Sequence, residues 1–205
     1  MGRIGLMGGS FNPIHKGHLE IAMAAKTEYK LDEIWFLPSS DPPHKKILGH
    51  VELQDRIAML KLAIKDKKNY IFSDIDCSRP GKIYTADTIE ILMEKFPEDN
   101  FYFLIGGDSL RDFENWYKPD FILSHINLLV SYREDLRQEY LESKIRELKS
   151  KYVTKELNII HCLPMAISSS RLRSMLALGQ DVSPYVPKEV CDYINDHNLY
   201  RDLDV

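Results

Sequence analysis

The chain predicts an α/β fold: one doubly wound domain spanning residues 1–205, with a mostly parallel sheet and a helical carboxyl-terminal end. Two observations predict it. Short apolar runs of strand length alternate with segments of helical period from one end to the other, the pattern of a parallel sheet covered on both faces. No linker-like stretch or internal repeat interrupts that alternation, so a second domain is not expected.

The first strand, Ile4–Met7, runs into a Gly-rich turn and a helix over Gly17–Tyr29, where Leu19, Ala22 and Met23 at i, i+3 and i+4 form a buried stripe and leave Glu20 and Lys26 to solvent. Strand Glu33–Pro38 leads through a Pro-rich loop to helix Glu52–Lys65. Strand Tyr70–Ile75 precedes helix Thr85–Phe96, which opens on Tyr84-Thr85-Ala86-Asp87-Thr88. Strand Phe101–Ile105 ends in a Gly-Gly-Asp turn, and strand Ile126–Ser131 precedes helix Asp135–Tyr152. On that helix Leu141, Ile145, Leu148 and Tyr152 repeat at helical spacing. Its pairs Glu142 with Arg146 and Glu147 with Lys151 mark a solvated face. Strand Leu157–Cys162 and helices Arg171–Ala177 and Lys188–Asp196 complete the chain.

At 205 residues the chain can bury roughly 70% of its unfolded surface. A hydrophobic content of 44% with only 10 Gly and 10 Pro excludes disordered and collagen-like classes. The net charge of −4 provides no global basic field, so neither nucleic acid nor an anionic membrane is an expected partner, and any anionic ligand needs a local cluster. Cys77, Cys162 and Cys191 form no CxxC pair, which argues against a disulfide framework or a thiolate zinc site and for a reducing cytoplasm. The amino terminus has no cationic leader with a long apolar stretch, and no run reaches the ~18 apolar residues that span a bilayer.

The most informative segment is GGSFNPIHKGHLE, Gly8 to Glu20. Gly8 and Gly9 let backbone approach a ligand closely, Ser10 offers a hydroxyl and Pro13 ends the turn, so amides beside a helix start can face an anion. It is neither a Walker loop nor a GxGxxG fingerprint. His15 and His18, three apart, can project to one side and donate together to charge building on a phosphate; the plainer alternative is a capping or core pair, and a metal site ranks last. Pro42-Pro43-His44-Lys45-Lys46 can present Lys45 at the mouth of the sheet, although such loops are usually plain surface. Ile167-Ser168-Ser169-Ser170-Arg171-Leu172-Arg173 precedes a helix that Gly179 stops. One serine suits the N-cap, and the remaining hydroxyls and guanidinium groups make a polyphosphate cradle. In Gly106-Gly107-Asp108 the carboxylate either meets ribose hydroxyls or caps the next helix. Aromatics such as Trp116 are by default core.

GGSFNPIHKGH together with ISSSRLR resembles the nucleotidylyltransferase superfamily, with its HxGH and ISSTxxR-type signatures. PPHK, YTADT, IGGDSL with Trp116, and VPKEVCDYINDHNLY make the chain similar to the bacterial nicotinate-mononucleotide adenylyltransferases over nearly its whole length. The resemblance implies a Rossmann-like fold and adenylyl transfer from ATP, with Mg²⁺, to nicotinate mononucleotide on the route to NAD. It further implies catalytic roles for His15, His18 and Arg173. ATP would be bound by Gly8, Gly9, Ser10, Phe11, His15, His18, Gly106, Asp108, Ile167, Ser168, Ser169 and Arg173. The mononucleotide would be bound by Ser10, Lys45, Thr85, Trp116, Tyr117 and Arg133. No protein metal ligand is implied. The chain departs from the family pattern at Asn12, where relatives have Asp, at Ser170, where they have Thr, and at Tyr132-Arg133-Glu134-Asp135, where they have Arg-Pro-Gly. The competing readings are a nicotinamide-preferring adenylyltransferase (with pantetheine-phosphate or cytidylyl transfer ranked lower), a non-catalytic nucleotide sensor and an aminoacyl-tRNA synthetase fragment. Intact His15, His18, Lys45 and Arg173 oppose the second, and the lack of a tRNA-binding domain opposes the third.

Overall fold

A computed structural model describes residues 1–41, 51–132, 138–162 and 167–201. The strands are β1 (Arg3–Gly9), β2 (Glu33–Pro38), β3 (Tyr70–Phe72), β4 (Asn100–Gly106), β5 (Asn127–Ser131) and β6 (Leu157–Ile160). The helices are α1 (Lys16–Glu28), α2 (Leu53–Ile64), α3 (Thr85–Lys95), α4 (Gly107–Arg111), α5 (Pro119–His125), α6 (Gln138–Lys151), α7 (Ser169–Ala177) and α8 (Lys188–Asp196), with a 3-10 turn at Phe113–Asn115. All six strands expected from the sequence are present, and their order is β3-β2-β1-β4-β5-β6 with every neighbouring pair parallel. The chain winds outward from β1 to one edge, then returns to place β4 beside β1 and winds to the other. The reversal falls between β1 and β4, so the crevice at their carboxyl ends is the natural ligand position.

Alternation along the central strands builds two cores. Met7, Phe36, Leu104 and Leu129 face one way and meet α1, α2 and α8. Leu6, Phe103, Ile105, Leu128 and Val130 face the other way and meet α3, α5 and α6. Both faces are therefore covered, which is why these strands read as unbroken apolar runs. Edge strand β3 is only three residues long, against the six-residue run expected, and its Ile71 is exposed. A short edge limits pairing with other chains.

Several expectations need correction. Helix α1 buries Leu19, Ala22 and Ala25, while Met23 is 53% exposed. The contact arc follows the small alanines, which let the helix lie close to the sheet, and Met23 falls about 100° from its centre at 3.6 residues per turn. Lys26 is not simply solvated: its ammonium donates to the carbonyls of Leu31 and Asp32. Helix α6 keeps its apolar stripe of Leu141, Ile145 and Leu148. Its Glu147–Lys151 pair, however, extends through Lys144 to Glu114 on the 3-10 turn, while Glu142 accepts from Gln138 instead of pairing along the helix with Arg146. The beginning of the expected helix, at Asp135, lies outside the described residues.

Candidate active site

The segment between β1 and α1 is built from unusual local geometry. Phe11 adopts φ +46°, the Asn12–Pro13 peptide is cis, and Phe11, Asn12, Pro13 and Ile14 are all buried. What holds so irregular a loop in the interior is its carbonyl groups. The Gly9 carbonyl accepts from the Ser39 amide (2.9 Å), that of Ser10 from Arg56 Nη1 (2.7 Å), that of Asn12 from Arg173 Nη1 (2.8 Å), and that of Pro13 from Ser169 Oγ (3.0 Å). The Asn12 side-chain oxygen accepts from the Tyr200 hydroxyl at 2.7 Å. In a planar trans peptide the N–H points opposite to the C=O. Tying down the carbonyls of Gly9, Ser10 and Pro13 therefore turns the amides of Ser10, Phe11 and Ile14 the other way, which is the orientation an anion requires.

His15 closes the loop as the N-cap of α1, and His18 stands at its third helical position. The His18 Nδ1 accepts from the His15 backbone N–H at 3.3 Å, and the two rings lie 3.8 Å apart, centroid to centroid, tilted by 33°. His15 is buried and His18 half-buried. The pair is thus both a cap and a doublet of rings on one side; the capping and projecting readings are not alternatives. Gly17 between them is buried, and a Cβ there would lie 3.0 Å from His15 Nδ1 and 3.6 Å from Ile167 Cγ2. The His15 ring therefore leaves little room for a side chain at this position, while Ile167 stands at ordinary contact distance.

Helix α7 supplies the opposite wall. Ser168 is its N-cap, accepting from the Arg171 amide at 3.2 Å, so the helix begins two residues before the expected Arg171. The Ser169 hydroxyl proton is committed to Pro13. Arg173 spans the Asn12 carbonyl and, through Nη2, Ser170 Oγ at 3.1 Å. Burial draws the Arg173 pKa below the ordinary guanidinium value, the nearby Tyr200 acting weakly in the other direction. Phe11 and Ile167 are core side chains, so any contact from them to a ligand is made by backbone.

Across the crevice, Gly106 is the N-cap of α4 and Asp108 is exposed in its first turn. Asp108 is therefore not the cap, and its carboxylate stands at the carboxyl end of β4. A Cβ on Gly106 would collide with Asp108 Oδ1. Gly8 lies over Phe103, whose Cζ would be 3.1 Å from an added Cβ. Helices α4 and α5 and the 3-10 turn between them, absent from the sequence expectation, carry the chain to Trp116 and Tyr117. Trp116 is half-buried with its ring 5.1 Å from that of Phe113, and Tyr117 pairs with Tyr84 at 5.0 Å, next to Thr85 at the start of α3. That start is braced by Asp76, which accepts from Thr88 Oγ1 (2.6 Å) and Arg79 Nη2 (2.8 Å). Burial raises the Asp76 pKa, and the bonds from Thr88 and Arg79 oppose the rise. Lys45 and Arg133 lie outside the described residues.

Asn12, Tyr200 and Arg56 were not anticipated. The available signal was strongest for Arg56, a charged residue on the same helical stripe as the buried Met59, Leu60, Ala63 and Ile64. Among the described residues no group of three or more His, Cys, Asp or Glu side chains could hold a metal ion, and no helix is long and apolar enough to cross a membrane.

Comparison with known proteins agrees with this arrangement. The cytidylyltransferase-like family model matches residues 6–175. A "Probable nicotinate-nucleotide adenylyltransferase" of Lachnoclostridium phytofermentans is 40% identical over 200 residues, covering 98% of this chain and 100% of the relative. The protein of the same description from Synechococcus sp. (strain JA-3-3Ab) is 36% identical, covering 98% and 95%. Among solved structures, the Plasmodium falciparum nicotinic acid mononucleotide adenylyltransferase complexed with NaAD superposes with a TM-score of 0.79 over 98% of each chain, at 21% identity, and so shares the fold. With the β1–β4 crevice, the histidine pair and the α7 clamp in their expected order, the chain belongs to the cytidylyltransferase-like family and, within it, to the nicotinate-nucleotide adenylyltransferases.

Proposed function

We propose that the protein transfers the adenylyl group of Mg²⁺-bound ATP to nicotinate mononucleotide, giving nicotinate adenine dinucleotide and pyrophosphate, in the cytoplasm. The observation that carries this reading is the β1–α1 loop, whose carbonyls are tied to Ser39, to Arg56 of α2 and to α7, which turns the amides of Ser10, Phe11 and Ile14 the opposite way, beside the histidine pair, and supports their use toward an anion. A phosphate oxygen of the mononucleotide attacks the α-phosphorus of ATP, the bond to the bridging oxygen of the β-phosphate breaks, and pyrophosphate leaves. Neither reactant needs a protein nucleophile. The protein's task is to align two polyanions and stabilise the charge that develops, and the divalent ion that enters with ATP neutralises part of it.

In this reading His15 and His18 donate to the ATP phosphates, and Arg173 and the amide end of α7 at Ser168 and Ser169 hold the departing pyrophosphate. The backbones of Gly8, Gly9, Ser10, Phe11 and Ile167 line the nucleotide, and Gly106 and Asp108 receive the adenosine ribose. Ser10, Lys45 and Arg133 take the phosphate of the mononucleotide, Trp116 stacks on its pyridine ring, and the backbone near Thr85 and Tyr117 meets the carboxylate. The test is incubation with Mg²⁺, ATP and either nicotinate or nicotinamide mononucleotide. Pyrophosphate and nicotinate adenine dinucleotide are expected with the first. Folded protein that releases no pyrophosphate with it, or that prefers the amide, overturns the assignment.

A further inference from the structure

Arg56 is 1% exposed and is the bulkiest fully buried side chain among the described residues. Its position on α2 belongs to the core stripe, yet it brings a guanidinium there. A buried cation is ordinarily matched by a carboxylate, because desolvation of a lone charge is costly. The other charged side chain among the described buried residues, Asp76, is matched by Arg79 in this way. Arg56 is not. Its recorded bonds run to two main-chain carbonyls, Ser10 at 2.7 Å and Ser39 at 2.8 Å, and its Nε has no partner among the described residues. The Ser39 and Ser40 hydroxyls, at the carboxyl end of β2, are likewise buried without partners. Three donor groups left open at one corner of the site imply something that accepts there.

We propose that Arg56 is a positioning residue for the phosphate of the mononucleotide. It ties the ends of β1 and β2 together through Ser10 and Ser39, and it leaves in the interior a positive charge that an arriving phosphate monoester balances. The ligand is the mononucleotide and not the triphosphate because of where Arg56 reaches. It grips the Ser10–Ser39 side of the crevice, where the Ser10 hydroxyl is assigned to the mononucleotide, whereas the Asn12–Pro13 side is held by α7. Burial lowers the Arg56 pKa, with Tyr200 and Cys77 acting in the other direction.

This inference rests on the reading that Ser10 faces the mononucleotide, and the experiment separates the two. Steady-state KM values for nicotinate mononucleotide and for ATP are measured for wild type, Arg56→Gln, Arg56→Lys and Ser10→Ala, together with the shift in Tm that each substrate alone produces. Arg56→Gln is expected to raise the mononucleotide KM by about tenfold or more, equivalent to about 1.4 kcal/mol, to reduce the Tm rise caused by the mononucleotide accordingly, and to leave the ATP values near those of wild type. Arg56→Lys, which keeps the charge and loses the two-carbonyl grip, is expected to fall between them. Should Arg56→Gln not fold, Arg56→Lys is read alone, and an unchanged mononucleotide KM overturns the proposal. A lowered Tm with both KM values unchanged, or both raised equally, reduces Arg56 to a structural tie and also overturns it. If Ser10→Ala leaves the mononucleotide KM untouched, the parent reading of Ser10 fails independently.

Discussion

Arg173 donates to the carbonyl of Asn12 across 161 residues of sequence, so the carboxyl-terminal signature and the Gly-rich loop are one structural unit and not two motifs that meet only on the ligand. Arg173→Ala removes both a cation and a brace. It is expected to lower kcat by about 10²–10³-fold, the scale of losing one preorganised donor. Arg173→Lys, which retains charge without the span to Ser170, should recover part of the loss, and single-turnover rates with saturating substrates measure both.

His18 caps the start of α1 and, in the proposed function, also donates to phosphate. His18→Ala is expected to lower kcat by about 10²–10³-fold while costing only about 1 kcal/mol of stability from the lost cap. Denaturant titration beside kinetics separates the two. Near-normal turnover would leave His18 as a cap alone.

Trp116→Ala removes a ring half-buried against Phe113. If that ring carries the pyridine, the mononucleotide KM rises roughly 5- to 150-fold, from about 1–3 kcal/mol of stacking, while the ATP KM holds. A fall in Tm with both KM values unchanged assigns Trp116 to the core.

Glu114 accepts from Lys144 and Lys151 of α6, and these bonds, that from Lys144 foremost, hold its carboxyl below the ordinary value of 4.5. Because the folded pKa is depressed, the stabilisation is present above 4.5 and is lost as pH falls through the lowered value. Glu114→Gln is therefore expected to lower Tm at neutral pH, with the gap closing in acid and in high salt. A gap independent of both points to packing instead.

The central strands were legible because burial on both faces leaves near-continuous apolar runs along β1, β2, β4 and β5, broken mainly at the strand ends, a signal that needs no tertiary knowledge. Helices α4 and α5 were not, because five and seven residues are too few to display a period. Pro119 at the first helical position, after Lys118 at φ +51°, was the sign available for α5. At the site, His15, His18, Ser169 and Arg173 were visible as a pattern of residue types. Asn12 and Tyr200 meet across 188 residues and carry no local pattern at all. Arg56 was overlooked because a charge on an amphipathic helix is assigned to solvent by default.

The bond from Tyr200 to Asn12 also sets an order of events during synthesis. A ribosome releases the histidine pair early, but the hydroxyl that holds the Asn12 side chain is added almost two hundred residues later. A nascent chain that has already paired β1 with β2 and β4 still lacks α7, α8 and Tyr200, and the irregular loop between β1 and α1 has only the ties from Ser39 and Arg56, with the Asn12 and Pro13 carbonyls and the Asn12 side chain unheld. The clamp on Asn12 and Pro13 is therefore completed only once α7 and Tyr200 have been made, and a chain that stops short of them carries both histidines beside a half-tied loop.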